Sequence, residues 1–289
     1  MFRGSVVALV TPFKQDFSID YDAYGRLIEF QIENGTHGIV PCGCTGEAAT
    51  LSHDEQKAII KYCVERVAGR VPVVAGTGSN NTREALNLTG YAKEIGADAA
   101  LLITPYYNKP TAAGLIAHYT LIAEKSGIPV MLYNVPGRTG TKIAAETIAQ
   151  LSKVENIVSV KEACGSVEQV TDILSLCDIN VMSGDDSLTL PMMAVGARGV
   201  VSVAANVVPD RVAAMCNVFD EGDLEGARKI HYELAPLVKA LFVETNPMPV
   251  KAILAAMGMI QNVLRLPLTP MLPEKFRAIE PVIGALAAS

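Results

Sequence analysis

The sequence predicts an α/β protein built as a (β/α)8 TIM barrel with a C-terminal helical appendage. Three observations predict it. Amphipathic stretches repeatedly end at a glycine and lead into a short apolar run. Eight such runs start about 20 to 35 residues apart, which leaves room for one helix between each pair. After about residue 206 the strand signal stops and only helical segments follow. A doubly wound parallel sheet is the other architecture that alternating units allow.

The runs come in order. Ser5–Val10 is the first. Gly35 then leads into Gly38-Ile39-Val40, Gly69 into Pro72-Val73-Val74-Ala75, Gly96 into Ala100-Leu101-Leu102-Ile103, and Gly127 into Pro129-Val130-Met131-Leu132. Ile157–Val160 and Asn180–Ser183 follow, and Gly196 leads into Gly199-Val200-Val201. Glycine just past a helix end supplies the left-handed residue that caps it. Short, continuously apolar runs suit strands buried on both faces. Ser52-His53-Asp54-Glu55 and Ser166-Val167-Glu168-Gln169 read as capping boxes at helix starts. Segments 209–221, 223–242, 247–258 and 273–287 read as helices, broken or started by Pro247, Pro249, Pro267, Pro270 and Pro273. The expected division is a barrel over residues 1–222 that carries the active site, and a helical region over 223–289 packed on it.

Composition removes several function classes. The chain has 289 residues, 50% hydrophobic and 19% charged, enough for a full core without staples. Its net charge of −6 repels phosphate backbones and argues against a nucleic-acid partner. No apolar run reaches the roughly 18 residues that span a bilayer. Residues 1–13 lack a small-residue cleavage site, so no signal peptide is expected. Cys42, Cys44, Cys63, Cys164, Cys177 and Cys216 form no C-x-x-C pair and sit mostly in apolar stretches. They read as buried free thiols in a reducing cytoplasm. His37, His53, His118 and His231 have no metal-ligand spacing, so no transition metal is expected.

Barrel enzymes build their sites at the C-terminal strand ends. The second strand ends in Gly43-Cys44-Thr45-Gly46-Glu47, a turn whose N–H groups could cradle a carboxylate or phosphate, or serve as a tight turn alone. The third ends in Gly76-Thr77-Gly78-Ser79-Asn80, read as a plain turn because no Gly-Lys-Ser/Thr follows. The fourth ends in Thr104-Pro105-Tyr106-Tyr107, whose phenols are either surface packing or site groups. The fifth ends at Tyr133, ahead of Asn134-Val135-Pro136-Gly137-Arg138-Thr139-Gly140; a guanidinium there suits bidentate carboxylate binding, or is a solvated loop group. The sixth ends at Lys161, unlike Lys57, Lys61, Lys93 and Lys229 in polar helical stretches. Burial disfavours an ammonium and frees the neutral amine, the nucleophile of Schiff-base chemistry. The bland reading pairs Lys161 with Glu162. The seventh ends in Gly184-Asp185-Asp186, with no histidine nearby in sequence. No G-x-S-x-G supports a serine triad. A metal-free barrel with a strand-end lysine and tyrosine points to a Schiff-base aldolase or lyase.

These motifs resemble the dihydrodipicolinate synthase family, part of the N-acetylneuraminate lyase superfamily of pyruvate aldolases. The resemblance rests on Gly43–Glu47, Tyr133–Thr139, Val160-Lys161-Glu162-Ala163, Gly184-Asp185-Asp186 and Asn246-Pro247-Met248-Pro249-Val250-Lys251, and spans Ser5 to about Pro270. It implies condensation of pyruvate with L-aspartate 4-semialdehyde through a Lys161 Schiff base. The product would be 4-hydroxy-tetrahydrodipicolinate, at the entry of the diaminopimelate route to L-lysine. It implies no cofactor beyond the covalently held pyruvate. Tyr133 would relay protons, Cys44 and Thr45 would hold the pyruvate carboxylate through their N–H groups, and Arg138 the semialdehyde carboxylate. Gly184 and Val201 would complete the substrate site. Tyr107 would reach the relay of a neighbouring subunit, within a homotetramer built as a dimer of dimers. Cys44 departs from the family's usual threonine, and a thiol is the weaker hydrogen-bond partner. Ala49, His53, Asn80, Glu84 and Tyr106 match a lysine feedback site, with Gln56 where sensitive members often carry histidine. The other readings are a related aldolase acting on N-acetylmannosamine or a keto-sugar acid, and a keto-acid-binding barrel without turnover.

Overall fold

The computed structural model describes residues 2–288. Strands and helices alternate from the start: β1 (Gly4–Ala8), α1 (Tyr21–Glu33), β2 (Gly38–Val40), α2 (His53–Val67), β3 (Val74–Gly76), α3 (Thr82–Glu94), β4 (Ala99–Ile103) and α4 (Ala112–Ser126). They continue through β5 (Val130–Asn134), the single turn α5 (Pro136–Thr139), α6 (Ala145–Leu151), β6 (Ile157–Glu162), α7 (Val167–Leu176), β7 (Asn180–Ser183), α8 (Thr189–Ala194), β8 (Gly199–Ser202) and α9 (Pro209–Asp220). Three helices follow: α10 (Leu224–Ala240), α11 (Met248–Ala256) and α12 (Pro273–Ala288).

All strand pairs are parallel, in the order β2-β1-β8-β7-β6-β5-β4-β3. The two ends of that order meet. Ile39 bridges Val73, the Ile39 N–H donates to the Pro72 carbonyl at 3.0 Å, and the Gly76 N–H donates to the Pro41 carbonyl at 2.9 Å. The sheet is therefore a barrel and not a doubly wound layer.

Strand alternation sorts the residues into two sets. Val6, Ala8, Leu101, Met131, Tyr133, Met182 and Val201 fill the barrel interior. Val7, Ile39, Leu102, Leu132, Val160 and Val181 face outward onto the helices. Both sets are mostly apolar, which is why the strands read as apolar runs broken only by a few buried polar residues such as Ser5, Ser159 and Asn180. The register sets Tyr133 directly beside Lys161 on neighbouring strands, and Lys161 beside Met182. Both polar residues thus reach the interior at its C-terminal rim.

The punctuation follows the sequence. Gly35, Gly69, Gly96, Gly127 and Gly196 all have positive φ. At Gly127, φ is 61° and the N–H closes α4 on the Ala123 carbonyl. Ser52 and Glu55 form the full reciprocal box: the Glu55 N–H donates to Ser52 Oγ at 3.2 Å, and the Ser52 N–H to Glu55 Oε2 at 2.8 Å. The second expected box is only half made. Ser166 Oγ accepts from the Gln169 N–H, but the buried Gln169 amide turns to the Ile143 carbonyl at 3.0 Å. The Ile143 carbonyl also accepts from Asn134 Nδ2 at 3.2 Å, so Gln169 is its second, shorter donor, and the buried amide is spent there instead of on the cap.

The C-terminal helices share one apolar core with the barrel's outer face. Leu237, Ile253, Leu254 and Met271 belong to the same cluster as Val7, Leu9 and Ile60. Each such burial stabilises by about 2 kcal/mol. All six cysteines are free; Cys42, Cys63 and Cys216 are buried, whereas Cys44, Cys164 and Cys177 are half-buried. That is fewer buried thiols than the apolar context suggests. Among the described residues no helix is long and apolar enough to cross a membrane.

Candidate active site

A cavity of about 430 Å³ opens at the C-terminal rim of the barrel. Lys161, Tyr133, Cys44, Thr45, Arg138 and Gly184 all line it. These six expected site residues, drawn from β5, β6 and the loops after β2, β5 and β7, are thus brought together.

Lys161 is 6% exposed. Its Nζ lies over the Tyr133 ring, 4.2 Å from the centroid. Burial pushes the amine down from its ordinary 10.5 to about 8; Cys44 and Asp186 oppose the fall, and Arg138 adds to it. Glu162 is not its partner. Glu162 faces the other side of the strand, where it accepts from Asn134 Nδ2 at 2.9 and 3.1 Å and from the Cys164 N–H at 2.9 Å. Gly184 leaves the space the lysine stem needs. A Cβ there would lie 2.9 Å from Lys161 Cε and 2.7 Å from the Ala163 Cβ. Burial, reinforced by the facing Cys44 thiol, pushes the Tyr133 phenol well above its ordinary value. It therefore holds its proton at neutral pH and can donate it.

The loop after β2 is held from several sides. The Thr11 hydroxyl donates to the Gly46 carbonyl at 2.7 Å. Asn246 Nδ2 donates to Thr45 Oγ1 at 2.9 Å, and Arg138 Nη2 donates to the Asn246 carbonyl at 3.1 Å. Among the described residues, no acceptor takes the N–H of Cys44 or Thr45. Glu47, at a φ of 55°, is fully buried against Lys251. Lys251 Nζ donates to Glu47 Oε1 at 2.5 Å and to the Thr11 carbonyl at 2.9 Å, and the Arg265 N–H donates to Glu47 Oε2 at 3.2 Å. Burial pushes the Lys251 ammonium below its ordinary value, and Glu47 opposes that. Sequence reasoning assigned no role to Asn246 or Lys251, although both lie in a motif it singled out.

The wall is not barrel alone. Val238, Lys239, Phe242 and Asn246, from the end of α10 and the turn after it, complete it. The helical region thus adds four residues to a wall built mostly from the barrel's strand ends. Val201 lies in the interior cluster beneath the cavity, while Val203 lines it. The two adjacent aspartates point to different partners. Asp186 is buried and accepts from the Ser202 hydroxyl at 2.5 Å and from the N–H groups of Val203 and Ala204. Asp185 accepts from Ser187 and lines the cavity.

A second cavity, of about 450 Å³, shares Cys44, Tyr133, Arg138 and Asn246 with the first. Ala49, His53, Glu84 and Tyr106 line it. His53 Nε2 stands 3.7 Å from Glu84 Oε2, and the Ser79 hydroxyl donates to Glu84 at 2.9 Å. Gln56 also lines it, but its amide donates to the Ala48 carbonyl at 3.0 Å. Asn80 holds the rim by donating to the Tyr106 carbonyl at 3.1 Å. Tyr107 stands apart from both cavities, 91% exposed at a φ of 71°.

A barrel with a buried, amine-lowered lysine beside a phenol, and an arginine in the same cavity wall, defines a Schiff-base aldolase or lyase of the (β/α)8 class. Comparison with known proteins narrows this. The sequence matches the dihydrodipicolinate synthetase family over residues 1–285. It is 55% identical over 276 residues to the 4-hydroxy-tetrahydrodipicolinate synthase of Syntrophobacter fumaroxidans, covering 94% of each chain. The fold matches the dihydrodipicolinate synthase of Acinetobacter baumannii, solved with pyruvate, at a TM-score of 0.97 and 42% identity over 99% of both chains. It matches the lysine-bound enzyme of Cyanidioschyzon merolae at a TM-score of 0.96 and 39% identity, over 100% of this chain and 99% of the other. The chain belongs to the dihydrodipicolinate synthetase family and is an enzyme of the lyase type.

Proposed function

We propose that the first cavity joins pyruvate to L-aspartate 4-semialdehyde and gives 4-hydroxy-tetrahydrodipicolinate, the first step of the diaminopimelate branch of L-lysine biosynthesis. The observation that carries the reading is Lys161: buried, turned away from Glu162, and lowered to about 8. Its neutral amine adds to the pyruvate ketone, water leaves, and an imine forms. Loss of a methyl proton gives the enamine, whose carbon attacks the aldehyde. In the closing step the substrate nitrogen attacks the imine carbon and the bond to Lys161 Nζ breaks. Two protons pass from the substrate nitrogen to the departing lysine. Tyr133 relays protons, and its raised phenol suits a donor. Cys44 stands in the relay where a hydroxyl would be the stronger link.

The free N–H groups of Cys44 and Thr45 suit the pyruvate carboxylate, Gly184 and Val201 shape its floor, and Arg138 suits the semialdehyde carboxylate. Pyruvate itself, carried covalently, supplies the electron sink, so no other cofactor enters. Tyr107 reaches the relay of a neighbouring subunit in a dimer of dimers. Its exposure, and a positive φ that an aromatic residue rarely adopts, support that role. L-Lysine inhibits from the second cavity, with Glu84 receiving an ammonium and Ala49, His53, Asn80 and Tyr106 around it. The enzyme works in the cytoplasm.

The test offers pyruvate with aspartate semialdehyde and, separately, with N-acetylmannosamine, and follows pyruvate loss. Loss with the semialdehyde alone supports the reading, and Arg138→Ala then raises the KM for the semialdehyde while borohydride still traps pyruvate on Lys161. Loss with the sugar alone moves the enzyme to the lyase reaction.

A further inference from the structure

We infer that Asp185 determines specificity for the aldehyde substrate, by seating the α-ammonium of L-aspartate 4-semialdehyde at the cavity mouth. The inference rests on the function proposed above and deepens it.

Charge bookkeeping in the cavity leads to it. The lining carries three basic side chains, Lys161, Arg138 and Lys239, and a single carboxylate, Asp185. Pyruvate brings one negative charge, and the loop after β2 answers it. The semialdehyde brings a carboxylate and an ammonium. Arg138 suits the first. With Lys161 held in the enamine, an ammonium still enters beside the cations of Arg138 and Lys239, so the one carboxylate in the wall is its natural seat.

Asp186 cannot serve. Its Oδ1 accepts from the Ser202 hydroxyl at 2.5 Å, and its Oδ2 from the N–H groups of Val203 at 2.9 Å and Ala204 at 3.1 Å, all in the buried interior. Asp185 is different. It is half-buried, and only its Oδ1 is engaged, by the Ser187 N–H at 3.2 Å and hydroxyl at 2.8 Å. Those two bonds fix the carboxylate and leave Oδ2 open.

Position agrees with chemistry. Asp185 directly follows Gly184, whose Cα packs against the Lys161 stem closely enough that a Cβ would sit 2.9 Å from Cε. Asp185 thus enters the cavity wall one residue after the glycine that packs on the lysine stem. The nitrogen seated there gives up its ammonium proton before it attacks the imine carbon and closes the ring. Arg138 approaches from the loop after β5, so carboxylate and ammonium are gripped from different strands. Together with the aldehyde carbon at the enamine, these grips select both the charge pattern and the hand of the substrate.

The test is Asp185→Asn, which keeps the Oδ1 acceptor for Ser187 and removes only the charge. Steady-state kinetics give KM and kcat for L-aspartate 4-semialdehyde. Succinate semialdehyde, with the same aldehyde and carboxylate but no ammonium, is measured as a competitor. The expected result is a rise of about tenfold in the semialdehyde KM with kcat nearly unchanged. The inhibition constant of succinate semialdehyde and the rate of borohydride trapping with pyruvate stay as in the wild type, and Asp185→Glu recovers part of the loss. An unchanged semialdehyde KM overturns the inference. So does an equal loss with both aldehydes, which would mean that the loop had moved. A wild-type protein that traps pyruvate but does not consume the semialdehyde refutes the functional reading instead, before any variant is compared.

Discussion

Burial of Lys161 makes two linked quantities measurable. The first is the pH dependence of imine formation. A lysine at its ordinary 10.5 is neutral in roughly 3 molecules per 10,000 at pH 7, whereas one lowered to about 8 is neutral in roughly 1 in 10, a gain of about 300-fold in nucleophile. The rate of pyruvate imine formation, quenched with cyanoborohydride and read by intact mass, should climb about tenfold per pH unit and level off near 8. The second quantity is stability. Lys161 binds its proton less tightly folded than unfolded, so the unfolded chain carries more protons between about 8 and 10.5, and stability rises with pH through that window. Below about 8 both states are protonated and the full cost stands, about 3 kcal/mol for a fall of this size. Lys161→Met should therefore stabilise the protein by up to about 3 kcal/mol at neutral pH, with the gain shrinking as the pH approaches 10.5. Urea unfolding of both proteins at several pH values measures it. An imine-formation rate still climbing at pH 10, or a stability difference that ignores pH, would refute the argument that burial activates this amine.

Other predictions follow from neighbouring contacts. Cys44→Thr should raise kcat severalfold, because a hydroxyl is the better link to Tyr133, and steady-state turnover reads it. Lys251→Met strands the buried Glu47 carboxylate and should cost about 3–5 kcal/mol, whereas Glu47→Leu combined with Lys251→Met should restore most of it, both read by urea denaturation. L-Lysine should inhibit the wild type, and Glu84→Gln should abolish that inhibition while leaving the uninhibited rate intact, as dose–response curves will show.

The parts of the site that were legible in the sequence are those that a strand end announces. Lys161 follows the short, mostly apolar run Ile157-Val158-Ser159-Val160, so its position predicted its burial, and burial suggested its chemistry. Tyr133 and Arg138 stood at the end of β5 with two readings each, and only the family resemblance chose between them. The contacts that hold the loop after β2 gave no such signal. Asn246 lies 201 residues from Thr45, and Lys251 lies 204 from Glu47. Only closure of the barrel, with the helical region packed on it, brings them together, and no local pattern encodes that. Gln169 shows the opposite failure. Its local pattern was clear, but a carbonyl in the buried loop at Ile143 competed for its amide and won. Tyr107 is exposed in a strained turn, and the role proposed for it would need a second chain.

The helical region after residue 222 is therefore not an ornament on a self-sufficient barrel. It supplies Val238, Lys239, Phe242 and Asn246 to the cavity wall, and it grips the loop after β2 through Asn246, Lys251 and Arg265. A barrel rim alone is open to water, and an open rim would leave Lys161 solvated and near its ordinary value. Val238, Lys239, Phe242 and Asn246 line the same cavity in which Lys161 is 6% exposed and lowered to about 8. The same segment also holds Arg138 through the Asn246 carbonyl at 3.1 Å. If the turn at residues 245–247 supports both the proposed nucleophile and the proposed carboxylate clamp, a lesion that loosens it should slow borohydride trapping of pyruvate and raise the semialdehyde KM together.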